Sequence, residues 1–177
     1  GQGSIIDQVL LSEQFETAWR EIGPHDHPLA ALYRASADRI LGEAQSRSRE
    51  GISFGEILEI DLDGSVLKVP IDELERGTQG VVVRRLRTGR PPTRPDQRLL
   101  HALMLQAARE QEGAAHFEAH YLTTGEAMPV ALEGVMASRL SEAKGVLAGI
   151  KAGNFPRKTS ENCPRCPHYF ICPTVPL

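Results

Sequence analysis

Apolar and polar positions along the chain follow a helical period in some segments and a strand period in others. Helices are predicted where apolar residues recur every three or four positions, in segments 5–22, 28–44, 95–112 and 135–153. Strands are predicted where apolar residues alternate or run together, in segments 53–60, 65–71, 81–87, 117–122 and 128–132. The resulting order, ααβββαββα, is typical of an α/β domain whose helices flank a mixed sheet.

Turn residues separate the predicted strands. Asp61-Leu62-Asp63-Gly64 stands between two alternating runs, and Asp-Gly in that place is a strong hairpin signal. Thr124-Gly125 predicts a second hairpin, and the polar segment 73–80 is predicted as a turn. The apolar faces of the first two helices are expected to enter the core through Phe15, Trp19, Leu32 and Tyr33.

Composition narrows the class of protein only a little. The chain has 177 residues, of which 24% are charged and 41% apolar, which suits one domain with a core of its own. A net charge of -3 gives no overall attraction to nucleic acid, so any such binding needs a local basic patch. No apolar run approaches the roughly 18 residues of a membrane span, and no signal peptide is visible, so a cytoplasmic location is expected. The Gly-Gln-Gly-Ser start suggests a domain excised from a longer protein.

Near the C-terminus, a Pro-rich segment carries all the cysteines of the chain, which are Cys163, Cys166 and Cys172. An odd count with no secretion signal argues against a disulfide framework, and the close spacing favours a metal or cluster site. Thiolates suit Zn or an iron–sulfur cluster. The fourth ligand would be His168 for Zn, or a cysteine upstream of this sequence. Alternatively, the cysteines are reduced thiols packed beside Tyr169 and Phe170.

Taken together, several motifs resemble the C-terminal nuclease domains of RecB- and AddB-type helicase–nucleases, which belong to the PD-(D/E)XK superfamily. The matching segments are VPIDEL (69–74), RLRTGR (85–90), QRLLHALML (97–105), HYLTTGEAMPVAL (120–132), FETAWREIG (15–23) and the tail IKAGNFPRKTSENCPRCPHYFICP (150–173). The resemblance implies a restriction-endonuclease-like mixed sheet flanked by helices, with a Cys-rich C-terminal tail. It divides the chain into a helical region (1–50), a nuclease-like core (51–155) and the tail (156–177).

Active relatives hydrolyse phosphodiesters with Mg²⁺ held by two aspartates, beside a lysine. Asp72 matches the first aspartate, but Arg85 aligns with the second and Arg87 with the lysine. A guanidinium cannot ligate Mg²⁺. Its repulsion of a metal ion roughly 4 Å away is several kcal/mol at an effective dielectric constant of about 20. We therefore expect a degenerate site without Mg²⁺.

No other acid is expected to replace the missing ligand. The nearby Asp61, Asp63 and Glu75 are interpreted as solvated turn residues. On the family helix, Gln97 and His101 match residues that border the active site, and their spacing places them on one helical face. Alternatively, the two are a helix-cap residue and a half-buried histidine.

Six arginines follow the apolar start of the third strand, and together they predict a phosphate-binding patch: Arg84, Arg85, Arg87, Arg90, Arg94 and Arg98. The alternative is that some of them are solvated and others pair with Asp72, Glu73 or Glu75. An ion pair between Arg85 and Asp72 would then be a structural replacement for the metal.

Three functions are consistent with these patterns. The first is a non-cleaving domain that binds single-stranded DNA or a duplex end, or docks a partner, within a helicase or recombination-repair protein. The resemblance implies that its three tail cysteines would join an upstream cysteine, absent here, around a [4Fe-4S] cluster, with Zn as the alternative. The second is an active Mg²⁺-dependent DNA exonuclease that uses Asp72. The third is a Zn- or cluster-binding interaction module with no role on DNA.

Overall fold

A five-stranded mixed sheet forms the centre of the structure, a computed structural model that describes residues 8–47, 50–78, 80–94 and 97–154. The helices are α1 (Gln8–Ile22), α2 (Ala30–Ser46), α3 (Leu99–Glu112) and α4 (Met136–Lys151). The strands are β1 (Ile52–Asp61), β2 (Val66–Gly77), β3 (Gly80–Arg87), β4 (Ala115–Tyr121) and β5 (Glu126–Pro129). This element order confirms the predicted α/β class.

The strands lie in the order β1-β2-β3-β4-β5. β1, β2 and β3 form an antiparallel meander, β4 lies parallel to β3, and β5 returns antiparallel to β4. The chain passes through α3 between the parallel strands, as such pairs require a crossover connection. Apolar residues of the sheet and α3 form the core, including Leu58, Ile60, Val69, Ile71, Val83, Met104, Leu105, Phe117 and Leu132.

The hairpin between β1 and β2 has the predicted Asp-Gly turn. Leu62 and Ser65 exchange two backbone hydrogen bonds, and Asp63 and Gly64 between them have φ values of 55° and 74°. Positive φ at both central residues is typical of a type I′ turn, which Asp-Gly favours. The Gly64 N–H also donates to the Asp61 carboxylate over 2.7 Å. Asp63 is therefore a turn residue, as predicted, whereas Asp61 is the last residue of β1 and stabilises the turn through its side chain.

Two of the wrongly predicted boundaries lie beside the candidate site. β2 continues to Gly77, so most of the polar segment 73–80 is strand and not turn. Helix α3 begins at Leu99, because Arg98 has extended backbone angles (φ -73°, ψ 157°). Gln97 consequently precedes the helix and shares no helical face with His101.

The prediction that the first two helices enter the core is also wrong. α2 has no buried residue, and Leu32 and Tyr33 are 65% and 44% exposed. Phe15 and Trp19 are half-buried, under the Arg34 guanidinium at 4.8 and 5.3 Å from the ring centroids. None of the described helices is long and apolar enough to cross a membrane.

Candidate functional site

Asp72, which matches the first metal-binding aspartate of the family motif, lies where β2 and β3 stop pairing. The last paired residues are Glu73 and Arg84. Beyond them, Arg85 Nη1 donates to Asp72 Oδ1 over 2.6 Å, and the backbone N–H of Leu86 donates to Asp72 Oδ2 over 2.8 Å. Both oxygens of this carboxylate are therefore already engaged by N–H donors of the neighbouring strand.

The side chains around Asp72 do not fit a Mg²⁺ ion. Mg²⁺ requires oxygen ligands in octahedral geometry, and Asp72 offers one carboxylate. Asp72 is paired with the Arg85 guanidinium, which has no lone pair to donate and carries a positive charge. Within the described part of the chain, no group of three or more His, Cys, Asp or Glu side chains could hold a metal ion.

Arg84 belongs to a different site from Arg85, because neighbouring residues of a strand point to opposite faces of a sheet. Its guanidinium donates to Glu73 and Glu118, each over 2.7 Å, and to Glu75. The alternative that arginines pair with the nearby acids is thus confirmed for Arg84 and Arg85. Glu75 is a half-buried ion-pair partner within a strand, so its interpretation as a solvated turn residue is wrong.

Glu73 is the centre of the polar network on this face of the sheet, and its side chain is 0% exposed. Arg47, directly after α2, binds both of its oxygens over 2.6 Å and also contacts the His120 ring at 3.3 Å. His120 is itself buried and contacts Glu43 of α2 at 2.9 Å. A polar network therefore attaches α2 to the sheet, and its members are Arg84, Glu73, Arg47, His120 and Glu43.

Two opposing effects set the pKa values in this network. Burial alone would raise the pKa of Glu73, but hydrogen bonds from Arg47 and Arg84 outweigh it, and the pKa is lowered. Burial alone would lower the pKa of Arg84, but its bonds to Glu118, Glu75 and Glu73 raise it. Both groups are therefore held in their charged forms.

Acidification is expected to destabilise the fold through Glu73. The pKa of Glu73 is lower in the folded chain than the value of about 4.3 in the unfolded chain. Between these two pKa values the unfolded chain binds more protons than the folded chain. The free energy of unfolding therefore falls as the pH falls through this range. In Glu73→Gln, the free energy of unfolding should depend less steeply on pH below about 4.3. Part of the slope should persist, because the pKa values of Glu56 and Glu133 are also lowered.

Urea unfolding at a series of pH values measures this slope. Glu59→Gln, which alters an exposed carboxyl of β1, is the matched control and should keep the wild-type slope. Equal slopes in wild type and Glu73→Gln would contradict the prediction.

Arginines from three parts of the chain line an open cleft with a volume of about 710 Å³: Arg87, Arg90, Arg94, Arg98 and Arg139. Gln97 and Tyr121 also line it. Among the described residues, Arg87, Arg90 and Arg94 have no ion-pair partner. The structure thus separates the six predicted phosphate-binding arginines into two paired within the sheet and four at the cleft. It adds Arg139, which sequence reasoning missed.

Gln97 and His101 have unrelated environments. The Gln97 side chain donates to the backbone oxygen of Ala131 over 2.7 Å, and its own backbone oxygen accepts from Arg139 Nε over 3.0 Å. His101 is fully buried and stacks on Phe117 with ring centroids 4.7 Å apart. Gln97 borders the arginine cleft, whereas His101 is a core residue and not half-buried.

The cysteine-rich segment lies outside the described residues. Cys163, Cys166 and Cys172, and the alternative ligand His168, are therefore not located relative to the sheet. The [4Fe-4S] cluster and the Zn site stay predictions.

The chain matches one family model, described as the PD-(D/E)XK nuclease superfamily, over residues 4–173. The chain belongs to this superfamily, as its motifs predict. No curated protein matches it. Among solved structures, a crystal structure of SSO0001 aligns with 98% of this chain and 98% of its own, at 16% identity and a TM-score of 0.47. The RecB- or AddB-type assignment stays a prediction.

Proposed function

We propose that this domain is a catalytically silent relative of the RecB- and AddB-type nucleases, which binds DNA as part of a helicase or recombination-repair protein. The observation that carries the proposal is the ion pair between Asp72 and Arg85. The motif match predicts that these two residues stand where active members of the superfamily hold their metal ion.

The loss of catalysis follows from the chemistry of phosphodiester hydrolysis. The metal ion lowers the pKa of its bound water and neutralises charge that develops on the phosphate oxygens. Arg85 neutralises the Asp72 charge that would otherwise attract the ion. Arg87, in place of the lysine, can still contact a phosphate, but it activates no water.

Retention of DNA binding is supported by the cleft arginines. Arg87, Arg90 and Arg94 have no ion-pair partner within the ranges that the structure describes, so their like charges repel one another, and a polyanion relieves this repulsion. Guanidinium groups also match phosphate geometry with paired hydrogen bonds. The domain would therefore hold or guide a DNA strand or duplex end without cutting it.

The cellular context comes from the resemblance. The order of motifs and the cysteine spacing support a place beside a helicase domain or subunit. A [4Fe-4S] cluster or Zn ion on the tail cysteines would serve as a structural clasp. These parts of the proposal rest on sequence alone.

Paired assays of cleavage and binding test the proposed function. With Mg²⁺ or Mn²⁺, we expect the wild type to release no more nucleotide from labelled single-stranded or duplex DNA than Asp72→Ala does. In EDTA, both proteins should bind the same DNA, as measured by fluorescence anisotropy, with affinity that falls as salt rises.

The other functions give different results. Metal-dependent cleavage that is abolished in Asp72→Ala would identify an active exonuclease. Absence of DNA binding at low salt would favour an interaction module with no role on DNA.

A further inference from the structure

We propose that Arg139 of α4 is a phosphate-binding residue of the arginine cleft and that Gln97 is its positioning residue. This inference rests on the proposed DNA-binding function and goes beyond it. It assigns a role to a helix outside the nuclease motifs, and the ligand class is the phosphodiester backbone of a nucleic acid.

The contacts of Arg139 fix its guanidinium at the edge of the cleft. Its Nε donates to the backbone oxygen of Gln97 over 3.0 Å, and its Nη1 donates to Glu142 over 2.8 Å. Its Nη2 has no partner among the described residues. One side of the guanidinium is therefore held by protein, and further N–H groups are left for a ligand.

Gln97 bonds to two residues that lie 34 and 42 positions away in sequence. Its side chain donates to the backbone oxygen of Ala131, before α4, and its backbone oxygen accepts from Arg139. The segment that leads into α3 is thereby tied to α4. In this arrangement, Gln97 would hold Arg139 at the cleft that the arginines after β3 also line, and would itself contact no phosphate.

Electrostatics favour the binding of an anion in the arginine cleft. Arg87, Arg90 and Arg94 have no ion-pair partner in the described part of the chain. Arg139 has one in Glu142, but the two side chains are 38% and 47% exposed. Exposed ion pairs of this kind contribute little. A phosphate can therefore compete with Glu142 for the guanidinium.

Arg109 of α3 provides a matched control. Like Arg139, it donates from Nε to a backbone oxygen, that of Ala115 over 3.3 Å, and pairs with one carboxylate, Glu133, over 2.9 Å. Its side chain is 32% exposed, close to the value for Arg139. Arg109 does not line the cleft.

Fluorescence anisotropy with a labelled oligonucleotide of mixed sequence, titrated at several salt concentrations in EDTA, tests the assignment. Arg139→Gln should weaken binding about three- to tenfold and lower the slope of log affinity against log salt by about one. Arg109→Gln should change neither value. Glu142→Gln should strengthen binding about twofold, because it removes the competing carboxylate.

A double-mutant cycle tests the positioning role. Gln97→Ala should weaken binding in the wild-type background and have no further effect in the Arg139→Gln background. Equal effects of Gln97→Ala in both backgrounds would overturn this role.

Failure of the inference is distinguishable from failure of the proposed function. If the wild type binds DNA and Arg87→Gln weakens it, but Arg139→Gln does not, the Arg139 assignment is wrong and the proposed function stands. If the wild type does not bind DNA at all, the proposed function itself fails.

Discussion

Arg84→Met is expected to lower the free energy of unfolding by about 3 kcal/mol, which is a large share of the 5–15 kcal/mol typical of a domain. Arg84 is 11% exposed and pairs with three carboxylates, of which Glu73 is fully buried. Removal of the guanidinium leaves these acids close together and keeps Glu73 charged in a site that excludes water. Because Arg47 still binds Glu73, the loss should lie at the lower end of values for broken buried pairs.

Urea unfolding followed by circular dichroism measures this loss, and Arg76→Met is its control. Arg76 lies on the neighbouring strand β2 and pairs with two carboxylates, Glu56 and Glu112, but its side chain is 40% exposed. Solvent screens such pairs, so the control should lose about 1 kcal/mol. Similar small losses in both variants would show that the Arg84 network contributes no more than a surface network does.

The fold was largely predictable because the apolar periods of most segments agree with their positions in the sheet. The sequence does not reveal how far β2 extends. Glu73, Glu75 and Arg76 resemble a solvated turn because acids and a base follow one another. They form a strand because Arg84 and Arg47 neutralise the charges of Glu73 and Glu75. These partners are distant in sequence, so no local pattern indicates them.

The first two helices were predicted correctly, but their burial in the core was not. Their apolar residues recur with a helical period, which correctly indicates helices but does not say what covers them. α2 contacts the sheet through Glu43 and Arg47, at its C-terminal end. Much of its apolar face, including Leu32 and Tyr33, is exposed in this chain. An amphipathic pattern therefore predicted the element and not its burial.

At the candidate site, the motif alignment located Asp72 and Arg85 correctly as neighbours, because both follow from strand order. The motif alignment could not separate Arg84 from the cleft arginines. That separation depends on the face of the sheet that each arginine occupies, and on the extension of β2 to Gly77, which supplies the acids that pair with Arg84. Arg139 was missed because it stands alone in an ordinary amphipathic helix, 41 residues beyond Arg98. Only the packing of α4 beside Gln97 brings it to the cleft.

Arg85→Asp is expected to create a metal site that the wild type lacks. The change removes the guanidinium that engages Asp72 Oδ1 and places a second carboxylate across from it on β3. At roughly 4 Å and an effective dielectric constant of about 20, reversing one unit charge changes its interaction with a divalent ion by more than 10 kcal/mol before desolvation. Even a small remaining fraction of this value converts undetectable binding into measurable binding.

Thermal unfolding with and without Mn²⁺ measures the gain. Without metal, two adjacent carboxylates repel each other, so Arg85→Asp should melt below the wild type. With Mn²⁺, its Tm should rise, because the ion binds only the folded chain. Arg85→Ala, which removes the guanidinium but adds no ligand, is the control and should show little dependence on Mn²⁺.

Adding Arg87→Lys to Arg85→Asp completes the family motif and should bring metal-dependent cleavage of labelled DNA above the wild-type level. An equal rise of Tm with Mn²⁺ in the wild type and in Arg85→Asp would contradict the reasoning, because it would mean that the ion binds while Arg85 holds Asp72. If instead the metal binds the double variant but no DNA is cleaved, the loss of catalysis would involve residues other than Arg85 and Arg87. The lost aspartate would then account for the missing metal affinity, and the geometry of the cleft for the missing chemistry.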